Sequence, residues 1–503
     1  MEKMKILLIN PTRSYNEKAS YISKGADIGL PLGILYIAAV LDKEGYDVEV
    51  LDSLVSPHTE LKQISGDRIE YGIPWDKLKD IIKQKKADII GISNMFSAQI
   101  NNTIRTTQLI KKIDKNIPVI VGGPHITVKA AEFLQKVNTA DVAVTGEGEI
   151  AMLDLVKCYE KKADLKNVNG IVYRNNGKII SNNKRDFIKD LDELPLPAYH
   201  LIDMESYLTL YKKNIYSRSR DEFRSLSMVT SRGCPYNCVF CSIHLHTGRA
   251  FRPHSAEYII KHLKHVVEKY NVKQIHFEDD NFTLDIKRCE QILDGIISNK
   301  LDIKWDTPNG IRADIYSRSL VEKMKRSGCK SLTLGIESGD QDVIDNIINK
   351  SLDLSKVEGF AKLCKEFKIP VNAFYVIGFP GETKKNIKKT IDFALMLQNK
   401  YGVMQGGAFF ATPLYGTRLY KICEEKGYFT KEITPESLAA ATASYGEGLI
   451  KTPEFTPDDL KKFNQILIRA NYLKHLKNPL KQVNLLLKNP KILLDVMKRF
   501  MGK

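Results

Sequence analysis

The chain has no run approaching about 18 consecutive apolar residues, so no membrane-spanning helix is predicted. It opens without a basic stretch leading into an apolar run. No signal peptide is predicted, and a cytoplasmic location is expected. Cysteine is scarce, with eight in 503 residues. Five of them (Cys158, Cys289, Cys329, Cys364 and Cys423) stand singly. That scatter argues against a disulfide framework and against a second cysteine-ligated cluster, and it suits free thiols in a reducing compartment. No Gly-x-Gly-x-x-Gly follows the first strand pattern, which argues against a nicotinamide or flavin dinucleotide site.

What is present sets other bounds. The apolar fraction of 43% supports large buried cores, and the length suits two or three domains. A net charge of +16 raises nucleic acid or an anionic membrane as partners. Most of it reads as a lysine-rich solvated surface, and no nucleic-acid partner is expected.

The remaining three cysteines lie within eight residues, in Ser231-Arg232-Gly233-Cys234-Pro235-Tyr236-Asn237-Cys238-Val239-Phe240-Cys241. Chance would place a Cys-x3-Cys-x2-Cys pattern in roughly two such chains in a thousand. Three soft thiolates in a tight loop favour an iron–sulfur cluster or zinc. A structural zinc site or an ordinary ferredoxin site would want a fourth local cysteine. Three ligands leave one coordination position open for chemistry.

Two α/β patterns flank a connector. Residues 1–160 alternate short apolar strands (5–10, 47–52, 87–93, 118–123 and 141–146) with helical patterns, which predicts a doubly wound Rossmann-like parallel sheet. The helix opened by Leu30-Pro31-Leu32-Gly33 is expected to stop at Gly45. Ligands of such sheets sit beyond the C-terminal strand ends. Here those ends carry Pro11, Ser93, Gly122, Gly123, Gly146 and Glu147. Residues 161–220 read as a linker with a β-hairpin around Asn176-Gly177, an extended Pro195/Pro197 stretch, and a tyrosine-rich segment that could act as a lid. Residues 221–440 again alternate, with strands near 225–230, 273–277, 303–306, 331–336, 371–378 and 407–410. Polar groups follow each strand: the cysteine loop, then Glu278-Asp279-Asp280, Arg312, Glu337-Ser338, Gly378-Phe379-Pro380-Gly381-Glu382 and Thr412-Pro413.

Taken in this order, the cysteine motif and strand ends resemble the radical SAM superfamily, and the preceding domain resembles its cobalamin-binding relatives, the methylases and anaerobic cyclase-like enzymes. The resemblance covers residues 1 to about 430. It implies a partial (β/α)6 barrel in which Cys234, Cys238 and Cys241 hold a [4Fe–4S] cluster, with Phe240 near the adenine of S-adenosylmethionine. It implies Glu278, Asp279 and Asp280 at the amino group, Arg312 at the carboxylate or an acidic partner, Glu337 and Ser338 at the ribose or carboxylate, and Gly378 at the adenine. The six N-terminal positions named above would meet cobalamin. The Asp-x-His-x-x-Gly motif that supplies a cobalt ligand elsewhere is absent, and His125 reads as a hydrogen-bonded or solvent-facing residue. The implied reaction is reductive cleavage to a 5′-deoxyadenosyl radical, driven by an external flavodoxin- or ferredoxin-type reductant. Methylation of an unactivated carbon in a small-molecule substrate would follow. A radical cyclase or rearrangement is the enzymatic alternative. A non-catalytic metal-binding interaction module is the alternative of another class, and it leaves six ordered strands with polar ends unexplained.

Residues 441–503 are expected to form a small, basic helical segment, with Thr456 capping a helix that has Pro457 at its first position. Lys481, Lys488, Lys491, Lys498 and Arg499 accompany apolar residues. Such helices could dock on the barrel. They could instead contact an anionic membrane peripherally, at its inner face, with a lipid-like substrate.

Overall fold

A computed structural model describes residues 3–16, 28–65, 68–210, 224–442 and 446–476. Residues 211–223 of the tyrosine-rich segment expected over 204–224, and the basic helices expected beyond 476, lie outside the described residues; Met204–Leu208 of that segment is a short helix.

The first unit contains β1 (Lys5–Asn10), β2 (Arg13–Asn16), β3 (Asp47–Asp52), β4 (Glu60–Ser65), β5 (Arg68–Gly72), β6 (Ile89–Ser93), β7 (Val119–Gly122), β8 (Val142–Val144), β9 (Ile171–Asn175) and β10 (Lys178–Ser181). Its main sheet runs β10-β9-β8-β7-β6-β1-β3. β3, β1, β6, β7 and β8 are parallel, so the chain reverses its winding between β1 and β6. Both faces are covered, which explains the unbroken apolar strands. Ile6 and Leu8 pack into one core, and Leu7 and Ile9 into the other. The helix Leu32–Lys43 ends with Gly45 at φ 81°, as its sequence predicts.

Two features differ from expectation. The hairpin assigned to the linker extends the first sheet, with β9 antiparallel to β8. Its edge strand therefore gains a partner and its apolar residues gain a core. β2, β5 and β4 form a separate antiparallel sheet that the sequence did not announce.

The second unit contains β11 (Ser225–Met228), β12 (Ser231–Arg232), β13 (Arg252–Pro253), β14 (Gln274–Phe277), β15 (Lys304–Ile311), β16 (Cys329–Glu337), β17 (Val371–Ile377) and β18 (Phe409–Phe410). Six of these form one parallel sheet in the order β11-β14-β15-β16-β17-β18, and β11 is not paired with β18. This is the open (β/α)6 half-barrel.

The helix Pro457–Leu476 docks on this barrel. The Thr456 hydroxyl accepts the Asp459 N–H, as a cap should. Leu460 and Leu467 are buried in the barrel's core, and Asn464 Oδ1 accepts the Ala408 N–H at 2.7 Å. No helix among the described residues is long and apolar enough to cross a membrane. Leu467→Ala is expected to cost about 2–5 kcal/mol through lost burial and a residual cavity, read as a lowered unfolding midpoint. An unchanged midpoint would mean the helix is not held there.

Candidate functional site

The cysteine loop grows from the end of β11 and is closed at its base by the two-stranded β12–β13 ladder, where Ser231 pairs with Pro253 and Arg232 with Arg252. Gly233 turns the chain at φ 83°, and a Cβ there would lie 2.2 Å from the Ala250 carbonyl oxygen, so only glycine fits. Burial pushes all three thiols up, Cys241 to about 12. Opposing it, the Tyr236 N–H donates to Cys234 and the Ile243 N–H to Cys241. Lys350 and Arg312 place positive charge near Cys234 and Cys238. Partly buried thiols supplied with N–H donors suit deprotonated sulfur bound to soft metal. Among the described residues they do not converge on one ion position, and a polynuclear cluster takes one thiolate per iron.

The expected strand-end residues fall around this loop in different states of engagement. Asp279 lies beneath it. Its carboxylate accepts the Thr230 N–H at 3.1 Å, the Thr230 hydroxyl at 2.7 Å and the Ser231 hydroxyl. Asp280 lines the cavity and receives the Gly233 N–H. Burial, and then the Asp279 charge, push its carboxyl up to about 6. Glu278 also lines the cavity and accepts the Ser227 hydroxyl at 3.1 Å. Arg312 is engaged at all three guanidinium nitrogens. It chelates Asp314 at 3.0 and 2.6 Å, donates to the carbonyls of Lys350 and Ser351, and stacks on Tyr236. Its partner is thus acidic and internal.

Glu337 adopts φ 69°, a strained setting for a residue with a side chain, and pairs with buried Lys350 at 2.7 Å. The Ser338 hydroxyl is turned to Thr390, 2.9 Å away. Phe240 packs against Phe379. Gly378, at φ 92°, donates its N–H to Glu382, and a Cβ there would meet Leu460 of the docked helix at 2.6 Å.

Ser93, Gly122, Gly123, Gly146 and Glu147 line a cavity of about 1110 Å³ at the C-terminal strand ends of the first sheet. Pro11 is buried and does not line it. Gly123, at φ 114°, would drive a Cβ to 2.3 Å from the Asn94 carbonyl oxygen. Gly33 also lines the cavity, and beyond its own stretch of helix no atom of the described residues lies within 4 Å of where its Cβ would stand. A bare wall there leaves room for a broad flat ligand, and the residues present fit a corrin. His125 offers no charge to it. Its Nδ1 is bonded to Ser97 Oγ at 2.8 Å, and burial lowers the imidazole to about 4. The same cavity is walled by Ser227, Glu278 and Asp280 of the barrel, so the two expected cofactor sites open into one space.

Sequence reasoning missed the ion network that joins the two units. Glu147 and Glu149 follow β8. Arg232 donates to both, at 2.9 and 2.6 Å. Arg252 donates to Glu147 at 3.0 Å, and the Ile188 N–H adds a bond at 2.7 Å. All four side chains are at most 13% exposed. Burial works against the Arg232 charge, but the Glu149 and Glu147 carboxylates outweigh it and raise its pKa. Glu147, expected at the cofactor, spends its carboxylate on this network. Partners 83 to 105 residues apart leave no local pattern to find. Arg232→Met should cost about 3–5 kcal/mol, because it leaves the buried Glu149 carboxylate without its cation. Thermal unfolding should show the loss, and a wild-type midpoint would contradict it.

Comparison with known proteins agrees with this division. A B12 binding domain model matches residues 21–156, and a radical SAM superfamily model matches residues 228–394. The chain is 32% identical over 421 residues to an uncharacterized methyltransferase of Pyrococcus horikoshii, covering 84% of this chain and 83% of that one. It is 27% identical over 482 residues to the cytidylyl-2-hydroxyethylphosphonate methyltransferase of Streptomyces wedmorensis, covering 89% and 86%. A radical S-adenosylmethionine methyltransferase of Kitasatospora setae, solved with cobalamin and a [4Fe–4S] cluster, superposes with a TM-score of 0.65 at 14% identity, covering 84% of this chain and 78% of that one. That structure shares the fold. With a half-barrel, a three-cysteine loop and a glycine-lined sheet end opening into one cavity, the chain belongs to the radical SAM enzymes that carry an N-terminal B12-binding domain.

Proposed function

We propose that this enzyme methylates an unactivated carbon of a small-molecule substrate, using S-adenosylmethionine, a [4Fe–4S] cluster and cobalamin. The observation that carries the reading is the single cavity shared by the glycine-lined end of the first sheet and the mouth of the barrel. Residues 1–160 would hold cobalamin through the backbone at Ser93, Gly122, Gly123 and Gly146, with Gly33 leaving space. Residues 221–440 would hold the cluster through Cys234, Cys238 and Cys241, and S-adenosylmethionine against Phe240, Glu278, Asp280 and the Gly378 turn. Bound there, these groups would supply a 5′-deoxyadenosyl radical and a methyl group. Asp279, Arg312 and Ser338 have their polar atoms engaged within the protein, and their proposed role is to hold the strand ends in shape. Methyl transfer rather than cyclisation rests on the names of the two relatives.

Anaerobic reconstitution with iron, sulfide and hydroxocobalamin tests this. The desalted protein should retain both cofactors and cleave S-adenosylmethionine under reduction. Cys238→Ala should lose the cluster's visible absorbance and the cleavage, while still retaining cobalamin. Cleavage surviving in that variant would sink the ligand assignment.

Two finer readings complete the proposal. The electron donor is a flavodoxin- or ferredoxin-type protein, and the basic stretch 477–503 gives peripheral contact with anionic membranes. Deleting residues 477–503, which spares the docked helix, should weaken co-sedimentation with anionic liposomes. Equal sedimentation would reject the membrane reading.

A further inference from the structure

The barrel interior carries polar groups that the cofactor assignments leave unused. Side chains of β11 and β14 alternate. Leu226, Met228, Ile275 and Phe277 enter the apolar core. Ser225 and Ser227 line the cavity beside their register partners Gln274 and His276. Closed barrels fill this face with branched apolar residues. Here it is polar.

The direction of hydrogen bonding along this face is set by a group that can only donate. Lys330 Nζ, on β16, donates to Gln274 Oε1 at 3.2 Å. That orients the amide, whose Nε2 donates to Asp306 Oδ2 at 2.9 Å. The other oxygen, Oδ1, faces His276 Nδ1 at 2.6 Å. His276 and Asp306 are register partners on β14 and β15. A carboxylate only accepts, so Nδ1 carries the proton, and in the neutral imidazole Nε2 then presents a lone pair. His276 lines the cavity, and among the described residues its ring is hydrogen-bonded at Nδ1 alone.

We propose that His276 Nε2 is the acceptor that seats the substrate, and that it selects molecules bearing an O–H or N–H donor on the part that enters the barrel. This rests on the methyl-transfer reading in taking the barrel mouth as the place of reaction. Lys330, Gln274 and Asp306 are positioning residues that keep the lone pair turned inward. An analogue without the donor leaves this cavity-wall acceptor unpaired once the site fills, and sites built on such a contact reject such analogues strongly.

The test is ¹⁵N NMR of the full chain carrying ¹⁵N-histidine, before and after cofactor reconstitution. The His276 signals are assigned by their loss in His276→Gln. The wild type should show a protonated Nδ1 and a bare Nε2. Asp306→Asn should invert that pair, because Gln274 keeps the new side chain's carbonyl and leaves its amide N–H facing Nδ1. Ethylene glycol serves as the donor probe, and 1,2-dimethoxyethane, with the same oxygens but no O–H, as the control. The glycol should shift the wild-type Nε2 signal upfield, and the diether should leave it in place. A protonated Nε2 in the wild type overturns the proposal, as does a tautomer that survives Asp306→Asn. A response to both probes, or to neither, overturns it as well. The wild-type measurements need no folded variant. Absorbance of the same sample reads cofactor retention, so a chain that retains neither cofactor defeats the functional reading while leaving the tautomer result standing.

Discussion

Two arginines at the base of the cysteine loop and two glutamates at the end of a strand in the other unit set the geometry of the whole site. Charges this deeply buried must be paired, because each alone would pay a desolvation cost that its surroundings cannot return. Arg232 is two residues before Cys234, and Glu147 directly follows the Gly146 turn. The pairing therefore holds the cysteine loop against the glycine-lined edge of the first sheet. The shared cavity follows from that juxtaposition, and so does the prospect of two cofactors working on one substrate.

The same economy runs through the barrel mouth. Asp279 binds the Thr230–Ser231 segment from below, and Arg312 ties the end of β15 to Asp314 and to the Lys350–Ser351 backbone. These groups look like ligands in sequence because they are polar and follow strands. In the fold their side chains bond the loops beside them. Asp280 and Glu278, on the same segment, are left facing the cavity. A run of three acidic residues thus divides between support and presentation, according to which way each Cα–Cβ bond points off the end of β14.

Much of the architecture was legible from pattern. The five parallel strands of the first sheet and the six of the barrel were readable because two-sided burial demands continuous apolar runs bounded by loops. The cap at Thr456 and the stop at Gly45 were readable because they depend on residues adjacent in sequence. The β9–β10 hairpin was recognised as a hairpin, but its attachment to β8 was not, since an edge strand carries no mark of its neighbour. The β2-β5-β4 sheet escaped for a similar reason, being short, polar and one-sided.

The linear order of residues was enough to establish the cysteine triplet, the alternation of strands and helices, and the places where the chain must turn, because each of these is a matter of spacing over a few residues. Folding in three dimensions settled which polar strand-end groups support the loops and which face the cavity. It also paired Arg232 and Arg252 with Glu147 and Glu149, and aligned Lys330, Gln274, Asp306 and His276 into one directed chain. Those outcomes depend on register and on contacts between distant segments. Burial makes them compulsory, but no local run of residues encodes them.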